Sequence, residues 1–443
     1  MQLFNLKYLK IGTTLLVAIL YFILGYYFNR TQFSMLFFSY LVAFGGFIFL
    51  IKYVNNYSQL FVIGIFFRLI FIFSTPFLSQ DFYRFIWDGR LIISHINPYD
   101  YLPNEIIHSV ANFIDAPFLY EKMGTLSASH YSNYPPINQF IFALTALIFG
   151  KSIFWSMVFF RLIILIADIG IYYYGRKLLL YFNQNPNKIF WYFLNPLVLI
   201  ELTGNLHFEG VMLFFLVLGF YNLVVKKWLL AAIFIAISIS TKLLPLLLLP
   251  LFWQLLGIKK SIYFYSSILL LNGIFFLPFL SSNLIGNFTQ TISLWFINFE
   301  FNASIYYVLR EIGFYINGFN SIGIIGKITP IITILIILFF AFFKQIKTIE
   351  QLISNSLIVL TIYFFISTTV HPWYIINLVL LSVFTRFKFP IIWSFVIIVS
   401  YYAYSVIPFK ENFWLLLIEY SIVYGCLLLE LNFKTLKFIN DGK

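Results

Sequence analysis

The chain has 443 residues, 61% of them hydrophobic and only 10% charged, with a mean hydropathy of +0.92. Apolar runs on this scale exceed what a water-soluble core buries, and their continuity excludes an alternating transmembrane barrel. The net charge of +12 comes from scattered basic pairs, which read as topology signals and exclude a nucleic-acid surface.

What remains is an all-α polytopic membrane protein, one membrane domain over residues 1–443, in which helices satisfy the backbone polar groups within lipid. Three spans are expected in residues 1–78, at 11–28, 34–51 and 60–78. The first is long for a signal-peptide core and lacks a small-x-small site at its end, so it reads as retained.

The longest polar interruption follows, at residues 79–136. It opens with SQDFYRFIWDGRLIISHINPYDYLP, which places Asp81, Asp88, Asp100, Arg84 and Arg90 directly after an apolar run. Ionisable groups beside a bilayer are costly, so this crowding marks a functional site. Asp81 emerges after Thr75-Pro76, where the third span can end, and two roles suit it: a helix N-cap, or a carboxylate poised for chemistry. Arg84 can pair with Asp81 at i+3 or with Asp88 at i+4, and a surface ion-pair ladder is the plain alternative to substrate binding. The apolar positions Phe82, Phe85, Ile86, Ile106, Ile107 and Val110 suggest short amphipathic helices lying on the outer surface. Turns are expected at Asn97-Pro98-Tyr99 and at Tyr131-Ser-Asn-Tyr134-Pro-Pro136, the latter leading into Gln139.

Residues 137–280 hold the core spans 152–175, 188–204, 210–225 and 261–280, with two irregular pieces. The run 137–150 is too short to cross and reads as half-penetrating. The stretch 228–257, broken at Thr241, Lys242 and Pro245, reads as two short helices or a re-entrant hairpin. Arg161 and Asp168 share one helix face, and buried pairing with other groups is their default role. Between two spans, Glu201, Asn205, His207 and Glu209 cluster. His207 and Glu209 fall short of a metal site and suit hydrogen bonds to a substrate, with loop solvation as the bland reading. A second outer loop, 281–327, should face the first across a cavity. Spans 328–343, 352–370, 373–385, 390–407 and 412–431 complete a bundle of roughly 12–14 transmembrane helices. His371-Pro-Trp-Tyr374 heads one of them, as a phosphate contact or as an ordinary interfacial anchor. The lone Cys426 reads as a packing residue, and the abundant Phe as lipid-facing bulk with Tyr and Trp at the interfaces.

With cytoplasmic termini, basic residues such as Lys226, Lys227, Lys259, Lys260, Lys344, Lys347, Arg386 and Lys388 fall inside, and most acids, Asp81 among them, fall outside.

The order of these motifs resembles the GT-C superfamily of integral-membrane glycosyltransferases. Within it the chain is similar to the mannosyltransferases that use polyprenyl-phosphate-mannose, including relatives of the glycosylphosphatidylinositol mannosyltransferase I catalytic subunit. The resemblance rests on Asp81-Phe82, Asp88-Gly89, Asn97-Pro98-Tyr99, Tyr131 to Pro136, Asn195-Pro196, Gly204-Asn205-Leu-His207-Phe-Glu209, Thr241-Lys242-Leu-Leu-Pro245 and His371-Pro-Trp-Tyr374. Two features depart from it. The family's Asp-x-Asp reads Ser79-Gln80-Asp81, which argues against a metal-bridged donor phosphate, and three spans precede the acidic loop where one is usual.

The resemblance implies a bacterial-type inner-membrane enzyme with an extracytoplasmic site that moves a hexose, mannose foremost, from a polyprenyl-phosphate donor to a glycolipid or glycan acceptor by inverting displacement. Asp81 would be the base. Arg84, Arg90, Lys242 and His371 would hold phosphate, while Asp88, His207 and Glu209 orient sugar and acceptor. Asn97, Tyr99, Tyr134 and Gln139 complete the expected binding set. No cofactor is firmly expected, a divalent metal stays open but doubtful because the first Asp is missing, and membrane lipid is the remaining partner. The alternatives are a lipid-linked saccharide flippase, which needs charges near the midplane such as Arg68, Arg161, Asp168 and Glu419, and a surface-polysaccharide polymerase or ligase.

Overall fold

The computed structural model describes residues 2–108 and 113–440; Val110, counted among the apolar positions of the first polar segment, lies outside them. Helices α1 (Gln2–Tyr26) and α2 (Phe33–Tyr53) pack together, and α3 (Tyr57–Ile70) starts on the Asn56 cap, whose side chain accepts from Ser58 and Gln59 N–H. The first polar segment supplies α4 (Asp81–Ile93) and α5 (Ala116–Ala128), and α6 (Pro136–Phe149) follows the paired prolines. The centre is built from α7 (Ile153–Tyr181), the broken pair α8 (Pro196–Gly204) and α9 (Glu209–Val224), and α10 (Trp228–Thr241). Then come α11 (Ile258–Phe276), α12 (Leu284–Ile297), α13 (Ile305–Asn317), α14 (Ile322–Phe343), α15 (Ile349–Ile366), α16 (Pro372–Val383), α17 (Phe389–Val396) and α18 (Phe413–Asn440).

The protein is an all-helical, multi-pass membrane protein. Among the described residues, 7 helices are long and apolar enough to cross a membrane, or 8 if α8 and α9, bent by 113°, form one broken span. Shorter apolar helices stand where crossings are expected at 60–78, 373–385 and 390–407, namely α3, α16 and the run Phe389–Ser405, while α6, α10 and the run Leu244–Leu256 fall in the two irregular pieces. The expected span 60–78 stops at Ile70 for an identifiable reason. Arg161 on α7 donates to the carbonyl of Ile72 at 3.2 Å and to Ser74 Oγ at 3.3 Å, so the chain leaves the helix into a bound, irregular approach to Asp81. The stretch 228–257 is a pair of helical segments broken at Lys242, as expected.

Aromatic residues divide by chemistry. Phe38, Phe66, Phe342 and Phe343 are exposed on the bundle's outside, as lipid-facing bulk would be. Several Tyr and Trp are buried instead of lying at an interface, because each brings a donor to a buried acid: Tyr192 to Asp168 at 2.9 Å, Tyr401 to Glu201 at 2.6 Å, and Trp393 Nε1 to Glu419 at 2.9 Å.

Helix α4 is present but does not lie on the surface. Phe82, Phe85, Ile86, Trp87 and Leu91 are buried, as are the charged Arg84, Asp88 and Arg90, because α4 is packed against α5 and α6. Gly89 permits that approach: a Cβ there would stand 2.3 Å from the carbonyl oxygen of Phe142 on α6. Gly89→Val is therefore expected to lose about 1–3 kcal/mol or more through overpacking, read as a lowered unfolding temperature in detergent. An unchanged transition would show that the two helices can separate freely.

Candidate active site

Asp81 is the first residue of α4. The N-cap is Gln80, which makes no side-chain capping bond, and the Asp81 N–H donates to Ser79 Oγ at 3.3 Å. Capping therefore does not account for Asp81. Its i+3 partner is also lost, since Arg84 Nε turns to Asp88 Oδ1 at 2.7 Å. Among the described residues the Asp81 carboxylate, half-buried, has no ion pair and accepts no hydrogen bond.

Three devices place it. Asn205, in the break between α8 and α9, accepts from the N–H groups of Phe77 and Leu78 at 3.3 and 3.0 Å and so fixes the approach to α4. Gln80 donates to the carbonyl of Met123 at 2.9 Å, a contact that needs the left-handed Gly124, where a Cβ would lie 2.6 Å from Gln80 Nε2. Arg161 binds the carbonyls of Thr203 and Gly204 at 2.9 and 3.2 Å, which ties the π-helical end of α8 to the same approach.

Around Asp81 gather groups from distant parts of the chain. Lys242, Glu209 and Arg30 act on its charge, and Tyr134, Tyr374, Tyr401 and Tyr404 in turn feel it. Burial holds the Asp81 carboxyl above the usual aspartate range; Lys242 opposes that shift, Glu209 adds to it and Arg30 opposes it. Lys242, extended where α10 ends, forms an ion pair with Glu209 at the start of α9. Trp373 is stacked between two imidazoles, His207 at 3.9 Å and His371 at 4.3 Å between ring centroids. Burial, with the positive charge of Lys242 second, pushes His371 down to about 3, so it is neutral at physiological pH. Buried Glu209 Oε2 and His371 Nδ1 have no hydrogen-bond partner among the described residues, and His207 Nε2 lies 3.5 Å from Glu201 Oε2 without a hydrogen bond, leaving polar capacity at the cluster.

Of the residues singled out in the sequence, Asp81, Tyr134, His207, Glu209, Lys242 and His371 therefore share one neighbourhood. The others form supports beside it. Asp88 is saturated by Arg84, by Ser132 Oγ at 2.6 Å and by Gln139 Nε2 at 3.1 Å. Arg84 also donates to the carbonyls of Ser127 and His130 at 2.6 and 3.1 Å, so the expected surface ladder is a buried strut that pins the loop before α6. Arg90 donates to the carbonyl of Ile114 and lies 3.8 Å from Asp115. Asn97 donates to Asp100 at 2.9 Å and to the carbonyl of Phe279 at 3.0 Å, while the hydroxyl of buried Tyr99 donates to the carbonyl of Tyr134 at 2.6 Å. Asn287 donates to the carbonyl of Tyr99 at 2.9 Å, so the two polar loops are joined by a hydrogen bond here.

Sequence reading missed Arg30, Tyr401 and Tyr404 and gave Trp373 and Tyr374 only an anchoring role. Arg30 carried one signal, a basic residue on the acid-rich side of the charge bias; the tyrosines carried none, being lost among 31 of their kind.

The family model described as MptA_B family, alpha-(1->6)-mannopyranosyltransferase, N-terminal domain, matches residues 13–257, more than half of the chain. No curated protein and no solved structure matches it. The matched segment contains Asp81, Tyr134, His207, Glu209 and Lys242, the core of the cluster. An all-helical membrane bundle carrying such a site, and matched over that length, belongs to the alpha-(1->6)-mannopyranosyltransferase family and is a membrane mannosyltransferase.

Proposed function

We propose that the protein moves mannose from a polyprenyl-phosphate-linked donor to a hydroxyl of a glycolipid or glycan acceptor on the extracytoplasmic face, by inverting single displacement. The acceptor oxygen attacks the anomeric carbon, the bond from that carbon to the phosphate oxygen breaks, its electron pair leaves on the phosphate, and the acceptor's proton passes to Asp81. The observation that carries this reading is the unpartnered Asp81 carboxylate at the head of α4, under the influence of Lys242, Glu209 and Arg30. Lys242 supplies positive charge for the departing phosphate, and His207, Glu209 and the neutral His371 offer hydrogen bonds to hydroxyls. Arg84, Asp88, Arg90 and Gln139 act as supports of the loop and not as substrate contacts. The flippase reading loses its motif: Arg68, Arg161, Asp168 and Glu419 are all buried and hydrogen-bonded within the bundle.

The test is transfer in membranes from radiolabelled polyprenyl-phosphate-mannose set against a nucleotide-linked mannose. Label is expected to move from the lipid donor alone; transfer only from the nucleotide would end this reading. The pH profile follows from the raised Asp81 carboxyl. Protonation removes the base, so kcat/KM should fall as pH drops through a value above the usual aspartate range. A flat profile across that region would count against Asp81.

A further inference from the structure

The turn between α1 and α2 brings a second cation to the site. Asn29 and Gln32 fold the turn on itself: Asn29 Oδ1 accepts from Thr31 N–H at 3.0 Å, and Gln32 Oε1 accepts from Asn29 N–H at 3.3 Å. Arg30, held in that turn, is half-buried; its guanidinium lies 5.1 Å over the ring of Tyr404 and acts on the charge of Asp81. Its hydrogen bond is a single long one, 3.4 Å to the neutral amide oxygen of Gln80, and it has no carboxylate partner among the described residues. The other arginines near the site are held in buried struts: Arg84 by Asp88 and two carbonyls, Arg90 by Asp115 and a carbonyl, with Arg84 Nη2 and Arg90 Nε and Nη2 left unpaired there among the described residues, and Arg161 by carbonyls and a hydroxyl. Lys242 shares its charge with Glu209, whereas Arg30 has no such partner among the described residues. Arg30 is the arginine whose charge acts on Asp81, and its fork is bound only by the Gln80 amide while it stacks on an aromatic face that orients it.

The turn and its flanking helices bear the exposed apolar side chains Tyr27, Phe22 and Phe38. A ligand whose phosphate meets Arg30 could therefore leave its hydrocarbon tail in the bilayer alongside α1 and α2.

We infer that Arg30 grips the phosphate of the polyprenyl-phosphate donor, as a substrate-binding residue supplied by the two N-terminal helices; this rests on the donor proposed above. The donor phosphate is a diester with one negative charge. When the bond to the anomeric carbon breaks, the electron pair stays on oxygen and the leaving monoester gains a second charge, so a free guanidinium gains most as the leaving group departs.

The experiment uses the full chain in nanodiscs of neutral phospholipid and measures the rise in unfolding temperature produced by a polyprenyl monophosphate, the leaving group itself. Wild type should be stabilised, Arg30→Ala should need about 10-fold more ligand for the same rise, as expected for a lost charge-assisted bond, and Arg30→Lys should fall between. Equal binding by wild type and Arg30→Ala overturns the inference, as does a loss in Arg30→Lys equal to that in Arg30→Ala, which would make the packing of the side chain and not its charge the source of the effect. A difference seen only when the disc contains an anionic phospholipid assigns the guanidinium to bilayer headgroups and also overturns it. If wild type itself fails to bind, the donor reading falls, and this inference with it.

Discussion

Asp81→Asn is expected to lower mannosyl transfer by about 10²–10⁴-fold, the usual worth of a positioned general base, while the protein stays folded. The two halves of that expectation come from one fact. Burial raises the Asp81 carboxyl, which has no ion pair and accepts no hydrogen bond among the described residues, and the opposing charges of Lys242 and Arg30 do not cancel the shift. A raised carboxylate is disfavoured in its ionised form, so once pH exceeds the folded value the group weakens folding instead of supporting it. Asparagine keeps the shape and removes the charge, so the unfolding temperature at neutral pH should hold or rise as activity falls, the trade expected of a residue kept for function. Transfer assays and thermal unfolding on the same preparation decide it. Full transfer by the variant removes Asp81 as base; a large fall in unfolding temperature would mean that Asp81 serves the fold.

The opposite pairing of outcomes is expected at the centre of the bundle. Arg68 on α3 and Asp168 on α7 form an ion pair at 2.8 Å, and both side chains are fully buried. Arg68 also donates to the carbonyls of Gly64 and Phe193 at 3.0 and 2.8 Å, and Tyr192 donates to the other Asp168 oxygen at 2.9 Å. Asp168→Ala strands a buried guanidinium and should cost about 3–5 kcal/mol, read as a loss of unfolding temperature or of monodisperse protein. Arg68→Met with Asp168→Leu removes both charges and should regain much of that loss, since apolar replacement of a whole buried pair is often neutral. An Asp168→Ala protein as stable as wild type would show that water reaches the pair. At this site folding fails first and activity follows, the reverse of Asp81.

The sequence by itself determined the class of the molecule and where its polar chemistry is concentrated. Continuous apolar runs require membrane helices, and the crowding of Asp81, Arg84, Asp88 and Arg90 after one of them marks the site, because charge beside lipid is too costly to keep without use. The breaks at Pro76, Asn205 to Phe208, Lys242 and His371-Pro372 were also legible, since local backbone chemistry writes them. What the tertiary structure decided was partnership. Helical spacing allowed Arg84 to reach Asp81 or Asp88 equally; the burial of α4 against α6, with Ser132 and Gln139 waiting on the far side, sent it to Asp88 and left Asp81 free. The same packing turned α4 from an expected surface helix into a buried one, and the hydrogen bonds of Arg161 to Ile72 and Ser74 shortened the expected span before it. Arg30, Tyr401 and Tyr404 reach Asp81 from near both ends of the chain, a meeting that no local period encodes, because periodicity fixes the face a side chain occupies while only long-range packing fixes what that face meets.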